Sequence, residues 1–255
     1  MISIAAHQVT PDISALFDFT KPTVPRAFNV LEGIIRGQIY TDDPIYPTWA
    51  VVREAIYGTL YTGGQINDSL LASLVQHFRR ISDVGIGCWL NDRLNDMLPP
   101  NPDYDGRTLY FTDYLPSVDP LANHLPEEYV LVPRDQSLLK QSFDYQTTVN
   151  AFTTEENVLQ YTLGFVVLHN GRIVCEAATG APTHGRIEVG VTTAESYRQR
   201  GFATLACARL IKTCRAQGYT TWWDCAKQNI LSIQLARKLG YRNEKEYRYV
   251  WWARN

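Results

Sequence analysis

The chain has 255 residues, a formal net charge of −2, 45% hydrophobic and 20% charged residues. That balance suits a globular protein able to bury a core, and nothing in it suggests a nucleic-acid binder. No apolar run reaches the roughly 18–20 residues of a membrane span, and MISIAAHQVTPDIS lacks the basic start and apolar stretch of a signal peptide, so the expectation is a cytoplasmic protein.

In chain order, the first half alternates helices and strands. Ala27, Val30, Leu31, Ile34 and Ile35 form one helical stripe, with Pro25 near its start and Gly37 after its end. IYTDD reads as a short strand. A helix starting near Asp68 buries Leu71, Leu74, Val75 and Phe78. DVGIGCW and RTLYFTDY are further strand candidates. Pro99, Pro100 and Pro102 mark a loop within this half. The proline-rich YLPSVDPLANHLPEEY then places a boundary between an N-terminal α/β domain, 1–125, and a second domain, 126–255. The two halves could be distant structural copies, but the sequence itself does not show it.

The second half is clearer. GFVVLHNGRIVCEAA is a hairpin turned at Asn170-Gly171, a pair suited to positive φ. RIEVGVTT is the next strand. A polar loop from Ala194 to Gln199 leads to a helix beginning near Gly201, with Cys207, Leu210, Ile211 and Cys214 facing inward and Gly218 at its end. YTTWWDCA is a strand, Asn229 caps a last helix that Gly240 ends, and EYRYVWW is the final strand. The five cysteines, Cys88, Cys175, Cys207, Cys214 and Cys225, are odd in number and lack paired spacing. They read as small buried hydrophobes, with no disulfide framework and no zinc site.

The chemistry concentrates in VGVTTAESYRQRGFATLACARL. A strand enters a polar turn and then a helix whose N–H groups and dipole suit an anion. Gly201 and Ala203 allow close approach of a ligand to the backbone, and Arg198 and Arg200 add positive charge. The Gly-Lys-Ser/Thr of a Walker loop and the G-x-G-x-x-G of a dinucleotide fold are both missing.

Arg198-Gln199-Arg200-Gly201-Phe202-Ala203 resembles the R/Q-x-x-G-x-G/A signature of the GNAT superfamily of N-acetyltransferases. Asn229-Ile230-Leu231-Ser232, Leu235 and Lys238-Leu239-Gly240-Tyr241 resemble that superfamily's N-x-x-S/A…L-x-x-K-L-G-F/Y segment at the right distance. The likeness is firm from about Phe165 onward and closest to a bacterial subfamily of this length with a divergent N-terminal domain.

The resemblance implies an α/β fold whose C-terminal part has a mixed, splayed central sheet flanked by helices. It implies acetyl-CoA as cofactor, with pantetheine between the strands Ile187–Val191 and Thr220–Asp224 and pyrophosphate on the N–H groups from Gln199 to Thr204. The implied cofactor residues are Val189, Val191, Arg198, Gln199, Arg200, Gly201, Phe202, Ala203, Thr204, Asn229 and Ser232. Transfer to the primary amine of a small molecule, by direct attack in a ternary complex, needs a base, for which Glu188 is the candidate. The N–H of Val191 is the candidate donor to the thioester carbonyl.

Many members of the superfamily carry a tyrosine where this chain has Ala236; Tyr197, Tyr241 and Tyr247 are alternative acids, and water a further one. Ala236 also leaves open a second reading, a CoA-binding regulatory or interaction protein without catalysis. Cys225 as an acyl carrier and His184 as an acceptor-site residue are weaker alternatives. The partner set is a small-molecule amine without nucleic acid or membrane, and a homodimer is compatible with it.

Overall fold

Apolar segments punctuated by glycine, proline and asparagine fold, in the computed structural model, into short strands and helices, of which residues 1–115 and 125–255 are described. They are β1 (Ile2–Ile4), α1 (Pro11–Ala15), α2 (Pro25–Leu31), β2 (Gly37–Thr41), β3 (Trp49–Glu54), β4 (Leu60–Gly64), α3 (Asp68–Arg79) and β5 (Val84–Trp89). Next come α4 (Leu94–Met97), β6 (Tyr104–Phe111), β7 (Asp113–Tyr114), β8 (Tyr129–Pro133), α5 (Gln136–Leu139), α6 (Tyr145–Phe152) and α7 (Glu155–Tyr161). The remainder is β9 (Gly164–His169), β10 (Arg172–Thr179), β11 (Arg186–Thr193), α8 (Phe202–Ala216), β12 (Thr220–Ala226), α9 (Ile230–Leu239), β13 (Tyr241–Arg242) and β14 (Lys245–Trp252). None of the described helices is long and apolar enough to cross a membrane.

Two units emerge from the tertiary contacts: Met1–Thr108 with Glu246–Asn255, and Leu109–Lys245. Most of the linker expected between Tyr114 and Tyr129 lies outside the described residues. Residues 246–255, grouped by sequence with the second half, belong to the first unit because β14 pairs antiparallel with β5, Tyr247 opposite Trp89 through Trp252 opposite Val84.

In the first unit β1-β2-β3-β4 form an antiparallel sheet. Asn67 caps α3 by accepting from the Leu70 N–H at 2.9 Å, and the four expected residues of α3 are its buried ones. The earlier helix is shorter than its stripe suggests. Gly33, at φ +72°, turns the chain after α2, and the N–H groups of Ile34 and Ile35 both fold back to the Asn29 carbonyl at 2.9 and 3.0 Å. Ile35 is still buried, so the stripe marks the core face correctly beyond the end of the helix. Gly37 starts β2 instead of capping α2; a Cβ there would collide with Val30 and the Arg53 carbonyl.

In the second unit the sheet order is β12-β11-β10-β9-β8, antiparallel throughout except for β11 with β12. Asn170 and Gly171, at φ +50° and +74°, close the β9–β10 hairpin as expected. The α8 crossover makes the parallel pair possible. It buries Cys207, Leu210, Ile211 and Cys214 against Ile187, Val189 and Trp223. Burial holds the Cys214 thiol up at about 12, so it packs as a hydrophobe. Short helices α5–α7 and strand β8 precede β9 and were not expected from the sequence.

The two units repeat one order of elements. The first runs strand, two helices, three strands, helix, strand; the second does the same from β8 to β12 with one helix more. In both, the strand after the long helix lies parallel to the strand before it: Thr59 bridges Gly85 in the first, and β11 pairs β12 in the second.

A buried ion pair ties α5–α7 to the second unit's sheet. Glu176 on β10 accepts from Arg134 Nη1 at 2.8 Å, from Ser142 Oγ at 2.7 Å and from the Phe143 N–H at 3.2 Å, while Arg134 Nη2 donates to Thr162 Oγ1 at 2.7 Å.

Candidate functional site

The site grows out of the parallel pair of β11 and β12. β11 and β12 share register at Arg186↔Thr220, Ile187↔Thr221 and Glu188↔Trp222, and no further, although the strands continue to Thr193 and Ala226. They therefore fork after Glu188. On the other edge of β11, the Gly180 N–H donates to the Glu188 carbonyl at 3.2 Å and the Ala194 N–H to the Val174 carbonyl at 3.0 Å. Even-numbered residues of β11 thus face β10 with their backbone groups, and Val189 and Val191 turn theirs toward the fork. Such an edge can take an extended ligand as a substitute strand.

Beyond the fork the chain turns through Gln199 at φ +61° and Gly201 at φ +83° into α8. No side chain caps this helix. The first intrahelical bond is from the Leu205 N–H to the Gly201 carbonyl, so the N–H groups of Phe202, Ala203 and Thr204 are the ones open to an anion. A Cβ on Gly201 would meet nothing within 4 Å, which leaves open space before the helix end. Phe202 and Thr204 bury their side chains, so what they offer is backbone. Arg198 is exposed and its Nε donates to the Thr193 carbonyl at 3.3 Å. The residues at the fork and those of the loop are thus joined by a single short stretch of chain.

Glu188 stands at the apex of the fork. Neighbouring Gly180 keeps the space beside its carboxylate small-sided, since an added Cβ would lie 3.8 Å from Oε2. On the same face of the sheet Trp222 is its register partner, and the Trp222 ring lies 5.2 Å from Tyr110. Arg186 Nη2 donates to the Tyr110 hydroxyl at 2.6 Å. Burial pushes the Tyr110 phenol up to about 12; Arg186 opposes this, and the charges of Asp224 and Glu188 add to it. The sequence offered no signal for Tyr110 or Arg186, which join this face only through strand pairing.

Asn229 caps α9, its Oδ1 accepting from the Ser232 N–H at 3.2 Å, and remains exposed. Ser232 Oγ in turn accepts from Trp223 Nε1 at 3.1 Å. Ala236 is fully buried in the core cluster. Of the alternative acids, Tyr241 is fully buried, and burial raises its phenol strongly. Tyr247 belongs to the first unit, and Tyr197 pairs its hydroxyl with His169 Nδ1 at 2.9 Å. Burial also raises the Cys225 thiol, which disfavours a nucleophilic thiolate. His184 sits exposed at the tip of a two-residue turn with Gly185, at φ +46° and +75°.

The family model for GNAT acetyltransferases matches residues 17–250. The chain belongs to the GNAT acetyltransferase family. It is an acetyltransferase enzyme, and the match spans both units. A protein of Bacillus subtilis (strain 168) named as an uncharacterized N-acetyltransferase, YdfB, is 28% identical over 233 residues, covering 86% of this chain and 87% of that protein. The crystal structure of an N-acetyltransferase-like protein from Streptococcus suis superposes with a TM-score of 0.72 at 27% identity, covering 97% of this chain and all of the other. A tandem GNAT protein of the clavulanic acid biosynthesis pathway shares the fold, with a TM-score of 0.60 at 12% identity over 100% of this chain and 98% of its own.

Proposed function

We propose that this acetyltransferase moves an acetyl group from acetyl-CoA to the primary amine of a small molecule, by direct attack in a ternary complex. The observation that carries the reading is the fork after Glu188 and Trp222, which leads straight to the uncapped start of α8. Acetyl-CoA supplies the acetyl group already activated as a thioester.

The chain's own residues divide the remaining work. The N–H groups of Gly201, Phe202, Ala203 and Thr204, with Gln199 and the charges of Arg198 and Arg200, hold the pyrophosphate. The backbone of Val189 and Val191 pairs with the pantetheine amides in the fork, with Asn229 and Ser232 on its far side. The Val191 N–H donates to the carbonyl oxygen as negative charge develops there. Glu188 takes, directly or through water, the proton that the ammonium must lose, since a free amine has a pKa near 10. The amine nitrogen then bonds to the acyl carbon, the C–S bond breaks, sulfur leaves as thiolate, and the second proton of the nitrogen passes to solvent to leave the amide. A thiol pKa near 8.5 makes that departure feasible with solvent as proton donor, in keeping with a buried alanine at position 236.

Ala236 also sustains a second reading, a CoA-binding protein without turnover. One experiment separates the two: acetyl-CoA is incubated with a panel of amines, amino acids and aminoglycosides, and free CoA is followed. Acceptor-dependent release supports the enzyme. Tight CoA binding without release by any amine would favour the second reading, and no CoA binding at all would overturn both.

A further inference from the structure

Next to the phosphate loop lies an aromatic cluster that the reaction as proposed does not use. Tyr129 opens β8 and His169 ends β9, and the two are register partners at adjoining strand ends. Their rings stack at 4.8 Å with 27° between planes. Tyr129 also packs 4.6 Å from Phe202, the first residue of α8. His169 Nδ1 pairs with the Tyr197 hydroxyl at 2.9 Å. Arg200 closes the cluster: Nη1 donates to the Tyr129 hydroxyl at 3.0 Å, Nη2 to the Ser196 carbonyl at 3.2 Å, and its guanidinium lies 5.2 Å from the centre of the Tyr197 ring.

Arg200 is exposed, on a loop with two positive-φ residues. An exposed arginine ordinarily samples many rotamers and must be ordered when it binds an anion. Here two hydrogen bonds and a ring hold it in place. The two acceptors and the ring are neutral, so the guanidinium keeps its full charge. Of its five N–H donors these bonds use two.

We infer that Tyr129 and His169 are positioning residues for the phosphate end of the cofactor: Tyr129 holds the Arg200 guanidinium, and His169 holds the Tyr197 ring against which that guanidinium rests. This rests on the reading above, in which the start of α8 receives a pyrophosphate. The ligand chemistry is a phosphate ester or anhydride, and the two residues act on it only through Arg200. The sequence could not reveal the arrangement, because strand register brings residues 129 and 169 together and tertiary folding adds the loop of Arg200.

The test is calorimetry on the full chain with CoA and, separately, with pantetheine, which carries the same arm without phosphates. Tyr129→Phe keeps the ring stack and removes one hydroxyl. It should weaken CoA by roughly 3- to 10-fold, the span of one hydrogen bond, and leave pantetheine unchanged. Arg200→Ala should weaken CoA by about tenfold or more, as a charge-assisted contact does. Adding Tyr129→Phe to Arg200→Ala should then cost nothing further, because the tyrosine acts through the arginine. His169→Phe should show a smaller loss, again for CoA and not for pantetheine. If Tyr129→Phe binds CoA like the wild type, or costs the same with and without Arg200, or weakens both ligands alike, the positioning role is overturned. If the wild-type protein binds pantetheine but gains nothing from the phosphates of CoA, or binds neither, the reading of the α8 start fails first.

Discussion

Glu188 lies across from Trp222 at the last rung that β11 and β12 share. One residue earlier the backbone is locked in a ladder; one residue later it faces a gap. A carboxylate at that point can reach a reacting group without interrupting the pairing that holds its own strand. The position is therefore both rigid and open, which a general base requires.

Replacing Glu188 by Gln keeps the shape and removes the basicity. Turnover should fall by on the order of 10²–10⁴, while the affinity for CoA stays near wild type. The remaining rate should rise with pH, because a growing fraction of the acceptor is already neutral. Steady-state kinetics across pH 6 to 10 checks this. Full activity at neutral pH in the variant would make Glu188 a structural strand residue.

Gly201 has φ +83° and empty space where a Cβ would stand. A side chain costs about 1–2 kcal/mol of left-handed strain, so Gly201→Ala should still fold with a modestly lower melting temperature. The added methyl occupies the approach to the helix N–H groups, and CoA affinity should drop roughly tenfold or more. Gly201→Val should lose more affinity and more stability. Unchanged affinity in a folded Gly201→Ala protein would move the ligand elsewhere.

The Arg134–Glu176 pair, with side chains 4% and 7% exposed, should be the most sensitive polar contact in the second unit. Glu176→Ala leaves Arg134 buried with its charge unanswered, an event that typically costs about 3–5 kcal/mol. Urea titration should show the midpoint fall accordingly. The double change Arg134→Met with Glu176→Leu should recover most of the loss, since neither charge is then stranded. A loss below about 1 kcal/mol for Glu176→Ala would place the pair in the class of surface bridges.

The repeated order of elements raises the question of a second cofactor site. In the first unit only Gln65, Ile66 and Asn67 separate β4 from α3. Asn67 already fills the helix start with its own side chain, and Asp68 follows it with a negative charge. An anion finds neither free N–H groups nor attraction there. Calorimetry should therefore give one CoA per chain, and a stoichiometry of two would refute this.

Where a local signal determines local structure, the sequence was a good guide. Asn170-Gly171 dictates its hairpin, Asn229 and Gly240 frame α9, and the glycine loop sits at the start of α8 as its spacing implies. The helix of the first half was overextended because Ile34 and Ile35 continue an apolar stripe that Gly33 interrupts with a positive φ. The helices α5–α7 leave little mark in the sequence because they are short, the longest being α6 with 8 residues, and carry little periodicity. At the candidate site, the loop that leads into α8 was legible as a contiguous motif. The partners of Arg186 and Arg200 were not, because Tyr110 and Tyr129 stand on strands far away in the sequence.

The pairing of β5 with β14 has a consequence for how the chain is made. During synthesis β5 leaves the ribosome long before its antiparallel neighbour exists. At about 5–20 residues per second the interval is on the order of ten to thirty seconds. Throughout that time the first unit presents an apolar strand, Val84 to Trp89, with one edge unmatched, the kind of edge that recruits other chains. Two glycines, Gly85 and Gly87, interrupt that strand, which lowers its tendency to pair with strangers. The N-terminal unit is thus begun first and finished late, and its assembly must wait for residues translated after the whole second unit has emerged.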